Sequence, residues 1–262
     1  MRAYKLSIVQ KIALAGIFIV LVAIFQKILA INYIPVVPFL RISFGGPALI
    51  IFSSILLGPW FGLLIGAASD LIGFFIFDPK ISSPYPMFQI TFIYALLGFL
   101  SYFIFKWFSQ IKSEKKMFYL ELGTFIAILI AITLYFALSD TIVLYNKPNA
   151  ISLEMKIWIP IASLILLSAL FVFIVLVDKS FKKKNLKVSV YKVSFCSFII
   201  EVLVMLLFGS LMKWWGFLAF YPTPWISIFI IQLMVGFFNI PFNTVVISYM
   251  LLISDGLIKD RE

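Results

Sequence analysis

RISFGGPALIIFSSILLGPWFGLLIGAASDLIGF, residues Arg41 to Phe74, sets one arginine, two Gly-Pro pairs, spaced glycines and one aspartate in an otherwise apolar run. Proline cannot continue a helix interior, so Gly58-Pro59 divides the stretch into two helices joined by a tight turn. Gly62, Gly66, Asp70 and Gly73 follow one another at helical spacing and share one face. Small residues on such a face let a second backbone come close, which is how helices associate in lipid. A lone carboxylate at mid-helix is costly in hydrocarbon unless it is protonated, paired or beside water.

The rest of the chain has the same character. It is 63% hydrophobic and 12% charged over 262 residues, with mean hydropathy +1.13. A soluble domain of this size could not hide so much apolar surface. Apolar runs of about 18 residues or more recur along the whole length, which predicts an all-α polytopic membrane protein. Barrel strands would alternate apolar and polar positions, and these runs do not. Eight transmembrane helices are expected, at about 8–30, 43–57 (short), 60–77, 87–108, 119–144, 157–177, 192–212 and 225–252. The first run follows MRAYKLSIVQK without a small-residue cleavage site, so it reads as a membrane helix and not a removed signal peptide.

Net charge is +10, and in such a chain the basic residues report orientation more than a nucleic-acid partner. With the N-terminus in the cytoplasm, fifteen basic residues fall on that side; only Lys27, Arg41, Lys80, Lys147, Lys156 and Lys213 fall outside. That asymmetry predicts both termini in the cytoplasm, and it places Arg41 and the loops near 78–86 and 213–224 together outside. The single cysteine, Cys196, and the lack of histidine leave no intrachain disulfide or zinc cluster; no cofactor is expected.

Several residues stand out against this background. Arg41 is the only arginine away from the termini in a chain that otherwise uses lysine. It either anchors at the headgroups or uses its planar fork on an anionic ligand. Asp70 either bonds a neighbouring helix or meets a ligand, and Glu201 raises the same question. Asn239 and Asn243 are one turn apart around Pro241, a spacing that suits helix–helix bonding or recognition of a polar heterocycle. Tyr85, Phe88 and Trp214 belong to aromatic loops that form an interfacial belt or cover a flat ring. The sequence contains no phosphate-binding loop and no hydrolase or metalloprotease motif, so a binding or transport subunit with borrowed energy is expected and an enzyme is not.

Arg41, Ser43, Phe44, Pro47, Gly58-Pro59, Gly62, Gly66, Asp70, Gly73, Phe88, Thr91 and Gly98, in this order and spacing, resemble the substrate-binding component of energy-coupling factor transporters, folate subgroup. Residues from about 192 to 253, with Asn239, Pro241 and Asn243, are similar to that family's last two helices. The resemblance implies a six-helix vitamin-binding unit in a single transmembrane domain. Residues 1–109 would supply its first four helices and 191–262 its last two, while 110–190 would be an inserted two-helix segment with a basic loop. It implies folate as substrate, held by Arg41, Ser43, Phe44, Asp70, Tyr85, Phe88, Thr91, Trp214, Asn239 and Asn243. It also implies docking on a transmembrane coupling subunit with two ATP-binding subunits. Ala13, Gly16 and Val20 stand where the family carries its small-residue docking pattern. The competing expectations are a component for another vitamin such as pantothenate, and a membrane scaffold whose glycines and amides serve packing alone.

Overall fold

The computed structural model describes residues 6–28, 30–31, 42–43, 45–77, 88–111, 113–144, 147–183, 189–218 and 224–259. Helix α1 (Ile8–Lys27) opens with a capping box, in which Ser7 Oγ accepts from the Gln10 amide and Gln10 Oε1 accepts from the Ser7 amide. A two-residue ladder, β1 (Ala30–Ile31) with β2 (Ile42–Ser43), precedes α2 (Gly46–Leu57). Then come α3 (Pro59–Phe77), α4 (Phe88–Phe108) and α5 (Glu114–Leu138). A β-hairpin of β3 (Thr141–Leu144) and β4 (Lys147–Ala150) leads to α6 (Leu153–Lys183). Helix α7 (Val190–Ile200) continues through a π-helical stretch (Glu201–Phe208) into α8 (Gly209–Leu218), and α9 (Trp225–Lys259) ends the bundle.

Among the described residues six helical spans are long and apolar enough to cross a membrane: α1, α3, α4, α5, α6 and the continuous Val190–Gly216. Helix α9, bent by 40° between Gly236 and Asn239, makes a seventh. The eighth expected helix, α2, has only 12 residues. At about 1.5 Å per residue it reaches about 18 Å, short of the roughly 30 Å of hydrocarbon. It is apolar all round and buried nearly throughout, as a helix enclosed by others should be. Helices α1, α3, α4 and α9 surround it.

The closest packing is between α3 and α4. A Cβ on Gly62 would lie 2.6 Å from the Gly98 carbonyl oxygen, and one on Gly66 would fall on the carbonyl of Tyr94. Ser54 of α2 donates its hydroxyl to the Gly98 carbonyl, so three helices meet at one point. The turn between α2 and α3 needs glycine for another reason: Gly58 has φ +104°, in the left-handed region.

Two large apolar clusters fill the interior, beside a small third one of Ile174, Val177, Phe181 and Val190 between α6 and α7. One gathers α1–α4 with α7, the π-helical stretch and α9, centred on Ile50, Ile51, Ile65 and Leu97. The other joins α5 and α6 to α7 and α9 through Phe125, Ile132, Phe136 and Phe198.

A departure from the expected boundaries with a clear structural cause is at α5. It ends at Leu138, not near 144, because Thr141–Leu144 leaves the helix to pair with Lys147–Ala150. Asp140 and Lys156 clasp this hairpin to α6 at 2.8 Å. The hydrogen bond from Lys156, and then its charge, hold the Asp140 carboxyl below its ordinary value.

Gly62→Leu is expected to destabilise the protein by at least about 1–3 kcal/mol, since the side chain has no room against Gly98. Gly123→Ala, at a helical site with nothing within 4 Å, is expected to gain about 0.5–1 kcal/mol. Denaturant titration in detergent, followed by circular dichroism, checks both.

Candidate functional site

Two groups of buried polar side chains lie inside the bundle. The first sits at the end from which the 28–45 and 78–87 connections leave. Thr91 Oγ1 of α4 donates to Asp70 Oδ2 of α3 at 2.6 Å, and both residues are buried. One turn beyond Asp70, Gly73 gives passage to Lys27, whose Cε would lie 3.0 Å from a Cβ there. Its neighbour Gln26 is buried against Gly46 at the start of α2, and neither of its amide atoms has a hydrogen-bond partner. Gly45, with φ +83°, fits under Phe25, and a Cβ there would lie 3.6 Å from Phe242 of α9. The end of α1 therefore touches both the start of α2 and the second half of α3. Gly216 of α8 packs on Gln89, which brings that helix to the same end of α4.

The second group lies where the π-helical stretch faces the bend of α9. Asn243 Nδ2 donates to Glu201 Oε1 at 2.8 Å. Glu201 and Asn239 are each 3% exposed and Asn243 1%. The Oδ1 atoms of Asn239 and Asn243 accept no hydrogen bond. A cleft of about 20 Å³ opens here, lined by Glu201, Gln232, Gly236 and Asn239 and walled by Phe125 and Ile128 of α5. Such a volume holds about one water molecule, far from the few hundred Å³ that a vitamin needs.

The candidates read from the sequence thus separate. Asp70 and Thr91 are brought together on α3 and α4. Asn239 and Asn243 gather with Glu201 on α9 and the π-helical stretch. Phe88 stands exposed at the start of α4, and Trp214 is half-buried on α8. Ser43 pairs with Ala30 across the short ladder, and β2 packs on α9. Arg41, Phe44 and Tyr85 lie outside the described residues. Ala13, Gly16 and Val20 are all exposed on α1, on a face whose Gly16 has open space beside it.

Three polar residues inside apolar helices escaped the sequence reading. Gln26 could have been noticed as an amide inside the last turn of an apolar helix. Gln232, half-buried, is an amide in the second turn of α9. Glu121 is fully buried on α5, where Ser194 Oγ of α7 donates to its Oε1 at 2.7 Å. It lies inside the fifth expected helix, about 119–144, where a carboxylate among apolar residues was the signal.

Compared with protein-family models, with curated proteins and with solved structures, the chain matches none.

Thr91→Val keeps the shape of the side chain and removes the donor to Asp70. It is expected to cost about 1–3 kcal/mol, the range for leaving a buried acceptor short of a partner. Thr91→Ser, which keeps the hydroxyl, should recover most of that loss in the same denaturation measurement.

Proposed function

We propose that this chain is the substrate-binding subunit of an energy-coupling factor importer in the plasma membrane. It captures folate, or a related flat vitamin bearing carboxylates, from outside. It then passes the vitamin to a transmembrane coupling subunit driven by two ATP-binding subunits. Both termini are cytoplasmic in this reading. Helices α1–α4 with α7–α9 form the vitamin-binding core, and α5 and α6 are an insertion.

The observation that carries the reading is the gathering of buried polar groups at one end of the α1–α4 bundle. Asp70 accepts hydrogen bonds where a pterin offers donors, and Gln26 presents an amide with a donor and an acceptor both unmatched. The positive-inside distribution of lysine places that end outside. Arg41 belongs to the connection that starts there, and its fork suits the carboxylates of the ligand. Ser43, Phe44, Tyr85, Phe88 and Trp214 complete the pocket in this reading. The exposed small residues of α1, Ala13 and Gly16 beside Val20, form the docking face toward the coupling subunit. The sequence contains no phosphate-binding loop, and in this reading uptake is driven by the partner ATPases.

Thermal unfolding of the purified chain with a panel of vitamins tests the reading. Folate at about 100 times its dissociation constant should stabilise the fold by roughly 2.7 kcal/mol. Arg41→Lys and Gln26→Ala should each reduce the shift. A shift with pantothenate instead keeps the class and replaces the substrate. No shift with any vitamin in folded protein rejects the reading in favour of a scaffold. Gly16→Leu should leave the isolated chain's stability unchanged and abolish co-purification with the coupling subunit.

A further inference from the structure

The polar cleft beside α9 is too small for a vitamin, and its chemistry points elsewhere. Its polar atoms come from three places. Glu201 stands at the start of the π-helical stretch, and with Oε1 bonded to Asn243 its other oxygen is left for the cleft. Asn239 lines the cleft with a buried Oδ1 that has no partner, and Gln232 adds a second amide. The 40° bend of α9 lies beside them, near Pro241, which has no backbone N–H to give. A carboxylate and amide oxygens make a set of hard oxygen ligands, and broken helices in membranes hold cations.

Charge decides which cation. With one carboxylate in the cleft and the Lys213 charge already bearing on it, a divalent ion would strand more positive charge in hydrocarbon than a monovalent one. Lys213 bears on Glu201 electrostatically from twelve residues further along the same helical span. Asn243 supplies a neutral donor only. A volume near 20 Å³ takes an ion with at most one water.

We propose that the cleft between Glu201, Gln232 and Asn239 is a binding site for one monovalent cation of sodium's size. The ion joins the π-helical stretch to the bend of α9, beside α5 of the second apolar cluster. The site shares Asn239 with the vitamin reading, but Glu201, Gln232 and the wall from α5 belong to no vitamin contact in it.

Equilibrium binding of radioactive sodium to the purified full-length chain in detergent tests the proposal, alongside melting curves in sodium chloride and in choline chloride of equal strength. Expected are one sodium ion bound per chain and a higher melting temperature in the sodium salt. Glu201→Gln, which retains an acceptor for Asn243, should raise the half-saturating concentration at least tenfold. Asn239→Ala should do the same, and it serves as the second variant if the first is poorly folded. Equal melting in both salts with no sodium bound overturns the site and leaves a proton or a water at Glu201. Sodium binding retained in both variants also overturns it, by placing the ion elsewhere. Potassium competing as well as sodium overturns the size selection.

Discussion

The contact between α3 and α4 is the constraint on which the rest of the core depends. In lipid no hydrophobic force draws one apolar helix to another, so close packing and hydrogen bonds must do it. Gly62 and Gly98 bring two backbones together, and Gly66 seats the Tyr94 carbonyl. The Ser54 hydroxyl ties α2 into the same seam. Once α3 and α4 are that close, Asp70 and Thr91 are within hydrogen-bond distance, and a carboxylate that would be prohibitive on an isolated helix becomes tolerable. The short helix α2 follows from this arrangement. It has no polar face and too little length to cross on its own, so it persists only because its neighbours enclose it.

Much of this was legible in the sequence, because the signals are one-dimensional. The Gly58-Pro59 break, the glycine ladder and the isolated Asp70 can be read from spacing alone, and α3 and α4 begin and end within a residue of expectation. Helix ends near charges were less legible. Helix α5 starts at Glu114 and α6 runs to Lys183, since a helix continues into water for as long as its side chains favour it, while an apolar window stops at the first charges. The hairpin at 141–150 was missed because Ile142, Val143 and Leu144 extend the apolar run of α5. The β-branched Thr141, Ile142 and Val143 and the Asn-Lys-Pro-Asn that follows were the signal of a strand and turn. The π-helical stretch has no such signature: no proline or glycine lies within Glu201–Phe208.

The candidate site was legible in its parts and not in its grouping. Asn239 and Asn243 share a face of α9, as their spacing requires, and so do Gly62, Gly66 and Asp70 on α3. Which face meets which neighbour is settled by three-dimensional packing, and no single helix carries that information. Thus Asn243 turns to Glu201 on the π-helical stretch, while Asp70 turns to Thr91 on α4. Gln26 stands out in the sequence as an amide in an apolar helix, but only packing shows Gly46 closing against it.

The same packing shows how α5 and α6 hold on. Phe118 stacks on Tyr191 at 4.6 Å, and Phe125 meets Phe198 at 5.4 Å, so aromatic rings from α5 key into α7. The Ser194–Glu121 bond adds a polar tie at the same seam, where lipid offers Glu121 no substitute partner. These ties run to α7 and its continuation, and α6 packs on α9. Those are the elements that frame the polar cleft, while the seam of α3 and α4 is closed by other residues. A change in the bend of α9 therefore bears on α6 and on the π-helical stretch, and reaches α4 through α2, α7, α8 and that stretch.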